Sequence, residues 1–341
     1  MPKPLLRFTI LSVLMLAAVG GQRINYRSNS QNIALKPLML DPAHPGPRRI
    51  GPLTFLKAWE LGSSNNDFGG ISALTALPGG RFIGLSDAGT VIGFGLAGDD
   101  RTDRPFIAPL PTPTGGSPNY LDRDTEGITY DPGTARFWIS YEGRHAIRRF
   151  TPALARTDAK VTPEPMRKWG LNSGAETIIR MTDGRFVVLS EAMDMPDGSY
   201  MGLLFSGDPT EPGTHQSIFG YRPPAGYKPT DGTQLPDGRL LILNRRASFP
   251  TGFAAKLVMI EPAAIKRDAT VSGDVIATLA APLLVDNMEG ITTTKESGRT
   301  IIWLISDNNF NAWQRTLLMK FALTGGIKKP EASVAPGFDS L

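Results

Sequence analysis

The chain has 341 residues, 41% hydrophobic and 20% charged, a globular composition with room for one large domain or two modest ones. It holds no Cys and only three His (His44, His145, His215), which excludes thiol catalysis, disulfide staples and most zinc sites. The formal charge of +4 falls to +2 without Lys3 and Arg7, and no Lys/Arg run is long enough for a nucleic-acid surface.

The N-terminus predicts an export signal over residues 1–21. Lys3 and Arg7 form a positive start, Phe8 to Val19 is an unbroken apolar run, and Ala18 and Gly20 supply small residues for cleavage. The run is short for a bilayer span, so a retained anchor is the weaker alternative. Export without Cys suits a bacterial periplasm, or secretion, with no membrane attachment once the signal is removed. Residues 22–52 read as an extended lead-in.

From residue 53 onward a repeat organises the chain. LTFLKAWELG (53–62) reads as an isolated strand. Then come five copies of one pattern: GGISALTALPGGRFIGLSD (69–87), EGITYDPGTARFWISYE (126–142), ETIIRMTDGRFVVLSE (176–191), DGTQLPDGRLLILNR (231–245) and EGITTTKESGRTIIWLISD (289–307). Their starts lie 57, 50, 55 and 58 residues apart, a period that marks a repeat architecture. Each copy predicts a β-hairpin, with Ile, Val, Phe, Trp and Leu on the flanks and Gly80, Gly133, Gly184, Gly238 or Gly298 in the turn. Two further short apolar runs follow each hairpin, as AIRRFT (146–151) and MRKWGL (166–171) do after the second. PFIAPLPTPTGGSP (105–118) reads as a Pro/Gly-rich loop beside the channel mouth.

Four strands per repeat and no helix predict an all-β fold, a single β-propeller of four-stranded blades. After TLLMKFAL (316–323) the last repeat lacks its fourth strand, and residues 53–62 can supply it, closing the ring and removing an exposed edge. That arrangement gives five blades, or six if residues 22–52 contribute more than a lead-in. The domain then spans 53–325, with a tail at 326–341. Trp138, Trp303, Phe82, Phe137 and Phe186 are expected to pack between blades.

The chemistry gathers at hairpin ends. In an antiparallel hairpin the first residue of one strand and the last of the next share an end. The starts offer Glu126, Glu176, Asp231 and Glu289, with Gly69 breaking the series. The ends offer Asp87, Glu142, Glu191 and Asp307, with Arg245 breaking it. Asp67, Asp124, Asp286, Asn287, Asn308 and Asn309 lie close in sequence. First strands line a propeller's channel, so both sets should converge at one mouth. Carboxylates so crowded must be protonated, pair with Arg, or bind a cation. An oxygen-rich set suits a hard ion, Ca²⁺ above all, so Glu126, Glu176, Asp231, Glu289, Asp307, Asp87, Glu142 and Glu191 are candidate ligands. The competing reading is that these acids cap strand ends and bond backbone amides. Glu126 and Glu176 are candidate catalytic carboxylates, and His145 is a candidate base. Arg245, with Arg246 beside it, either holds an anionic group or neutralises the acids. No G-x-S-x-G, P-loop or H-E-x-x-H occurs.

Several strings carry a resemblance. GPLTFLKAWEL (51–61), FGGISAL (68–74), DTEGITYDP (124–132), DGRFVVLSE (183–191) and KPTDGTQLPDGRLLILNRR (228–246) resemble the phytase-like propeller family of exported bacterial proteins. DNMEGI (286–291) and LISDNNFNAWQRTLLMKF (304–321) are the most specific, and the likeness covers about residues 45–325. The family is labelled "esterase-like activity of phytase". The resemblance implies an all-β propeller and, by analogy, Ca²⁺-assisted hydrolysis of a phosphoester or other ester, with a lactone as a variant. The expected substrate is small and anionic and the expected state a monomer. A non-catalytic periplasmic propeller holding a structural cation is the other class.

Overall fold

Short runs of β-branched and aromatic residues, cut by Gly and Pro, leave no stretch long enough for a helix to compete. The computed structural model describes residues 28–98, 100–111, 120–170 and 174–324. Among them are 23 strands, a few 3-10 turns and no α-helix. The segment read as an export signal, residues 112–118 of the predicted loop and the tail at 326–341 lie outside the described residues.

Strands β1 (Ala34–Leu38), β2 (Arg49–Ile50) and β3 (Leu53–Gly62) precede the repeats. The first repeat forms β4 (Ile71–Leu77), β5 (Arg81–Ser86), β6 (Thr90–Ala97) and β7 (Arg101–Pro109). The second forms β8 (Thr125–Asp131), β9 (Arg136–Tyr141), β10 (Ala146–Phe150) and β11 (Thr157–Val161). The third forms β12 (Ala175–Arg180), β13 (Phe186–Asp194), β14 (Tyr200–Phe205) and β15 (Gln216–Tyr221). The fourth forms β16 (Lys228–Gln234), β17 (Leu240–Ser248) and β18 (Gly252–Ile260); β19 (Thr270–Val271) then pairs in parallel with β15, and β20 (Asp274–Ala280) completes the fourth sheet. The last repeat forms β21 (Asn287–Glu296), β22 (Arg299–Asp307) and β23 (Thr316–Leu323).

Within each repeat the strands pair antiparallel in sequence order, so the sheets are four-stranded and the fold is all-β and propeller-like. β3 pairs antiparallel with β23 from Leu53↔Leu323 to Leu61↔Thr316. β1 pairs with β3 along its whole length and touches β7 at Ala34↔Arg101, so the first and last sheets run together. Residues 34–38 therefore do more than lead in. The inner strands contact one another in a closed cycle, β4 to β8, β12, β16, β21 and back to β4.

The apolar core lies between neighbouring sheets. Trp303 of β22 meets Phe82 of β5 edge-on at 4.8 Å, and Trp138 of β9 meets Phe186 of β13 at 5.1 Å. Phe137 packs with Ile83 and Leu85 of the first sheet, as expected for aromatics between blades. Hydroxyls tie the same seams, with Ser72 Oγ donating to the Thr125 carbonyl and Ser140 Oγ to that of Ala175, both at 2.6 Å.

Three local readings change. The fourth strand of the second repeat is Thr157–Val161; Pro165–Lys168 is a 3-10 turn, because Pro163 and Pro165 interrupt pairing there. Pro105–Pro109 belongs to β7, an outer strand that tolerates proline, and is not loop. In the second hairpin turn the positive φ falls on Ala135, at 55°, and Gly133 does not supply it.

Candidate functional site

Each inner strand carries one β-bulge, and all five lie at the same place. The register slips between Ile71 and Ala73, Thr125 and Gly127, Ala175 and Thr177, Pro229 and Asp231, and Met288 and Gly290. The extra residues are Ser72, Glu126, Glu176, Thr230 and Glu289. A bulge leaves its residue unpaired and re-aims its side chain. Three bulges thus hold a glutamate and two a small hydroxyl. On the paired strands, Asp87 and Glu142 follow β5 and β9, Asp307 ends β22, and Glu191 and Arg245 lie inside β13 and β17.

This geometry corrects the alignment of the fourth repeat. Asp231 looks equivalent to Glu126 and Glu289 because a glycine follows each, but the bulge residue is Thr230. Asp231 lies one position further along, where a strand presents the opposite side. Its carboxylate accepts the Gly232 N–H at 2.7 Å and the Ile291 N–H at 2.8 Å, so it ties inner strands together inside the channel. Likewise the first repeat contributes Ser72, and Gly69 is not its counterpart.

The other acids converge. Glu126, Glu176, Glu289, Asp307 and Asp124 are all buried. One carboxylate oxygen from each of Asp124, Glu126 and Glu142 lies within 4.8 Å of the other two. Asp124 belongs beside Glu142 because the Glu142 N–H donates to the Asp124 carbonyl at 2.9 Å. Glu176, Glu289, Asp307, Asp87 and Glu191 surround this trio without joining it. Among the described residues neither Glu126 nor Glu176 makes an ion pair or a side-chain hydrogen bond.

Burial and mutual repulsion hold protons on the ring. Burial, then the charge of Glu176 and Glu142, pushes Glu126 well above the usual carboxylate range. Glu176 is raised by burial and by Glu191 and Glu289. Burial pushes Glu289 up to about 8, although Arg245 opposes it. Glu142 rises to about 7, mainly by burial and against the Gly174 N–H that donates to it at 2.8 Å. Asp87 rises to about 6, by burial and by Asp307 and Asp124. Asp307 is raised by burial, with the Asn309 N–H pulling the other way.

Arg245 is the principal cation inside this ring. Its Nη1 lies 2.5 Å from Asn287 Oδ1 and 3.2 Å from Glu289, and its Nη2 lies 3.3 Å from Glu191. Lys228 reaches Glu191 at 3.5 Å from the edge. Arg246 turns away and stacks over Tyr227 at 5.0 Å. His145 sits in the turn after Glu142 with φ 46°; burial lowers its pKa, and its Nδ1 is buried without a partner. Asp286 is bonded to Arg315 at 3.3 Å.

One feature was not anticipated. The loop after Asp307 is stapled by its own amides, Asn308 Oδ1 accepting the N–H groups of Gly70 and Phe310, and Asn311 Oδ1 those of Trp313 and Gln314. It holds Phe310, at 46% exposure, over Gly70 next to Asp87, and leaves Trp313 94% exposed. The Asn-rich string NNFNAWQ was its only sequence signal.

The family model "Phytase-like: Esterase-like activity of phytase" matches residues 66–310. No curated protein matches the sequence. Among solved structures, the Malassezia sympodialis allergen Mala s 1 is 12% identical over 86% of this chain and 96% of its own, with a TM-score of 0.45. A luciferin-regenerating enzyme is 10% identical over 82% and 96%, with a TM-score of 0.40. A β-propeller domain from Myceliophteria thermophila is 14% identical over 72% and 67%, with a TM-score of 0.35. Scores this low carry no argument about chemistry.

Proposed function

Because the chain belongs to the phytase-like family, we propose that it is an exported, Ca²⁺-assisted hydrolase of a phosphoester or other ester, working at the acidic mouth. The observation that carries this reading is the convergence of Asp124, Glu126 and Glu142. Three hard oxygens at that separation, with further carboxylates around them, are the donor set a calcium ion takes. The raised pKa values of Glu126 and Glu142 point the same way, since a divalent ion relieves the repulsion that otherwise requires protons.

In this reading Asp124, Glu126 and Glu142 hold the cation, with Asp87, Glu176, Glu191, Glu289 and Asp307 as reserve ligands or as the base. A bound calcium ion would supply Lewis-acid polarisation of a phosphoryl or acyl oxygen. Arg245 orients an anionic group of the substrate. A carboxylate outside the trio and poised nearer neutrality, as Asp87 is at about 6, takes or returns a proton. Phe310 and Trp313 form an apolar wall for the remainder of the substrate. The scaffold is read as a five-bladed propeller closed by β3, with residues 1–21 removed on export. Among the described residues no helix is long and apolar enough to cross a membrane.

The test is a hydrolysis panel of phytate, simple phosphomonoesters, aryl and alkyl esters and lactones, with calcium and with chelator. The reading expects turnover of at least one class that chelation abolishes and that Glu126→Gln lowers by at least about a hundredfold. Calcium binding without turnover of any class would support instead a binding propeller with a structural ion.

A further inference from the structure

The channel has a second end. Past the bulges, toward the hairpin turns, a cavity of about 1370 Å³ opens and touches all five inner strands. Asp231 seals it from the acids. Its carboxylate bonds the N–H groups of Gly232 at 2.7 Å and Ile291 at 2.8 Å, and also that of Leu74. Leu74 lies on β4, two strands round the cycle from β16, so the carboxylate reaches across the channel. Asp231 is itself only 1% exposed, and the waist is closed there.

Hydroxyls ring the cavity below that waist. The third residue past each bulge is Thr75, Thr129, Ile179, Thr233 or Thr292, and all five line the cavity. Two of the hydroxyls cap the next inner strand. Thr292 Oγ1 accepts the Ala76 N–H at 3.0 Å, and Thr129 Oγ1 accepts the Arg180 N–H at 3.2 Å. Each keeps its own O–H to donate. Thr75 and Thr233 make no side-chain hydrogen bond among the described residues. Ala76, Leu77 and Tyr130, each half-buried, supply apolar surface between the hydroxyls.

The charges around this ring are spent. Arg180 Nη2 stands 3.3 Å from Asp131, and Lys320 bonds Glu296 at 2.7 Å while lying over Trp303. Lys57 has a partner as well, and Lys295 stands out at the exposed rim. An ion would find no buried charge waiting for it. A peptide strand would need open backbone groups on an inner edge, and the hydroxyls already take those of Ala76 and Arg180. Groups that donate and accept at once, set in a ring with apolar surface between them, match a ligand that alternates hydroxyls with C–H faces.

We propose that this end of the channel binds a neutral sugar of two or more rings, at a site separate from the acidic mouth. The cavity exceeds the roughly 300–1,000 Å³ that encloses a drug-sized ligand, so a single ring would not fill it. Thr75 and Thr233 supply the open hydroxyls, and Thr129 and Thr292 supply donors already oriented by the backbone.

The test is saturation-transfer NMR and calorimetry on the full chain, because sugars raise the melting temperature of any fold by exclusion. Maltose, cellobiose, lactose and trehalose are compared with glucose 6-phosphate and cyclohexanol, in calcium and in chelator. At least one disaccharide should bind saturably, equally with and without calcium, and more tightly than either control. Thr75→Val and Thr233→Val keep the branched shape and remove a hydroxyl that the fold does not use. Each should melt as the parent does and weaken the disaccharide by about threefold to tenfold. The site is overturned by no saturable disaccharide binding, or by an unchanged affinity when both threonines are replaced. Tighter binding of glucose 6-phosphate, or binding that requires calcium, overturns it equally.

Discussion

Glu289 brings the electrostatics of the mouth down to one side chain. Its carboxyl is buried and sits near 8 in the folded protein, against an ordinary 4.5. The folded state therefore keeps a proton that the unfolded chain releases, and its stabilising contribution is complete below about 4.5. It is lost as pH rises through 8. Glu142, near 7, and Asp87, near 6, add the same slope with smaller weight, because both are less buried. The chelated protein should lose on the order of a few kcal/mol between pH 5 and pH 8.5. Glu289→Gln should flatten the upper part of that profile. Denaturant titrations across the range measure it, and a level profile would mean that the ring is not desolvated.

At the scale of the element, the bulge and the stapled loop decide which side chains face the mouth. Gly70 has φ 61°, and a Cβ there would come 2.3 Å from Phe310 Cε2 and 2.4 Å from Asp87 Oδ1. Gly70→Ala should cost about 1–3 kcal/mol and displace Phe310. Gly79→Ala, also at positive φ but with open space around its Cβ, should cost less and leave the mouth intact. Equal losses in urea would contradict the tight approach. The hairpins were legible because alternation and turn glycines act locally, whereas β13 and β17 run on past Glu191 and Arg245 to Asp194 and Ser248. The bulges were not legible, because a one-residue slip leaves no mark on composition. The D-G of residues 231–232 imitates the E-G of 126–127 and 289–290, and the local sequence does not separate them. Asp124 was legible as a neighbour but not as a partner, since its approach to Glu142 comes from a backbone bond that extends the β8–β9 pairing by one step.

For the whole molecule, the sheets share one axis and the acids of different repeats meet only there. The pairing of β3 with β23 joins residues nearly the whole chain apart. A protein beginning at residue 28 should fold cooperatively, whereas one beginning at residue 63 should aggregate or unfold, because the last sheet loses its outer strand. Circular dichroism melts and gel filtration distinguish them; a soluble, cooperative protein lacking β3 would contradict closure through that strand.

The mouth itself is the central claim, and calcium-dependent unfolding tests it most directly. A ligand that binds only the folded state at a hundred times its Kd adds about 2.7 kcal/mol. Calcium should therefore raise the melting temperature of the parent chain by several degrees over chelator, and Glu126→Gln with Glu142→Gln should remove most of that rise. If the parent melts identically in calcium and in chelator, with no heat of binding, the acids are protonated caps and the mouth holds no cation.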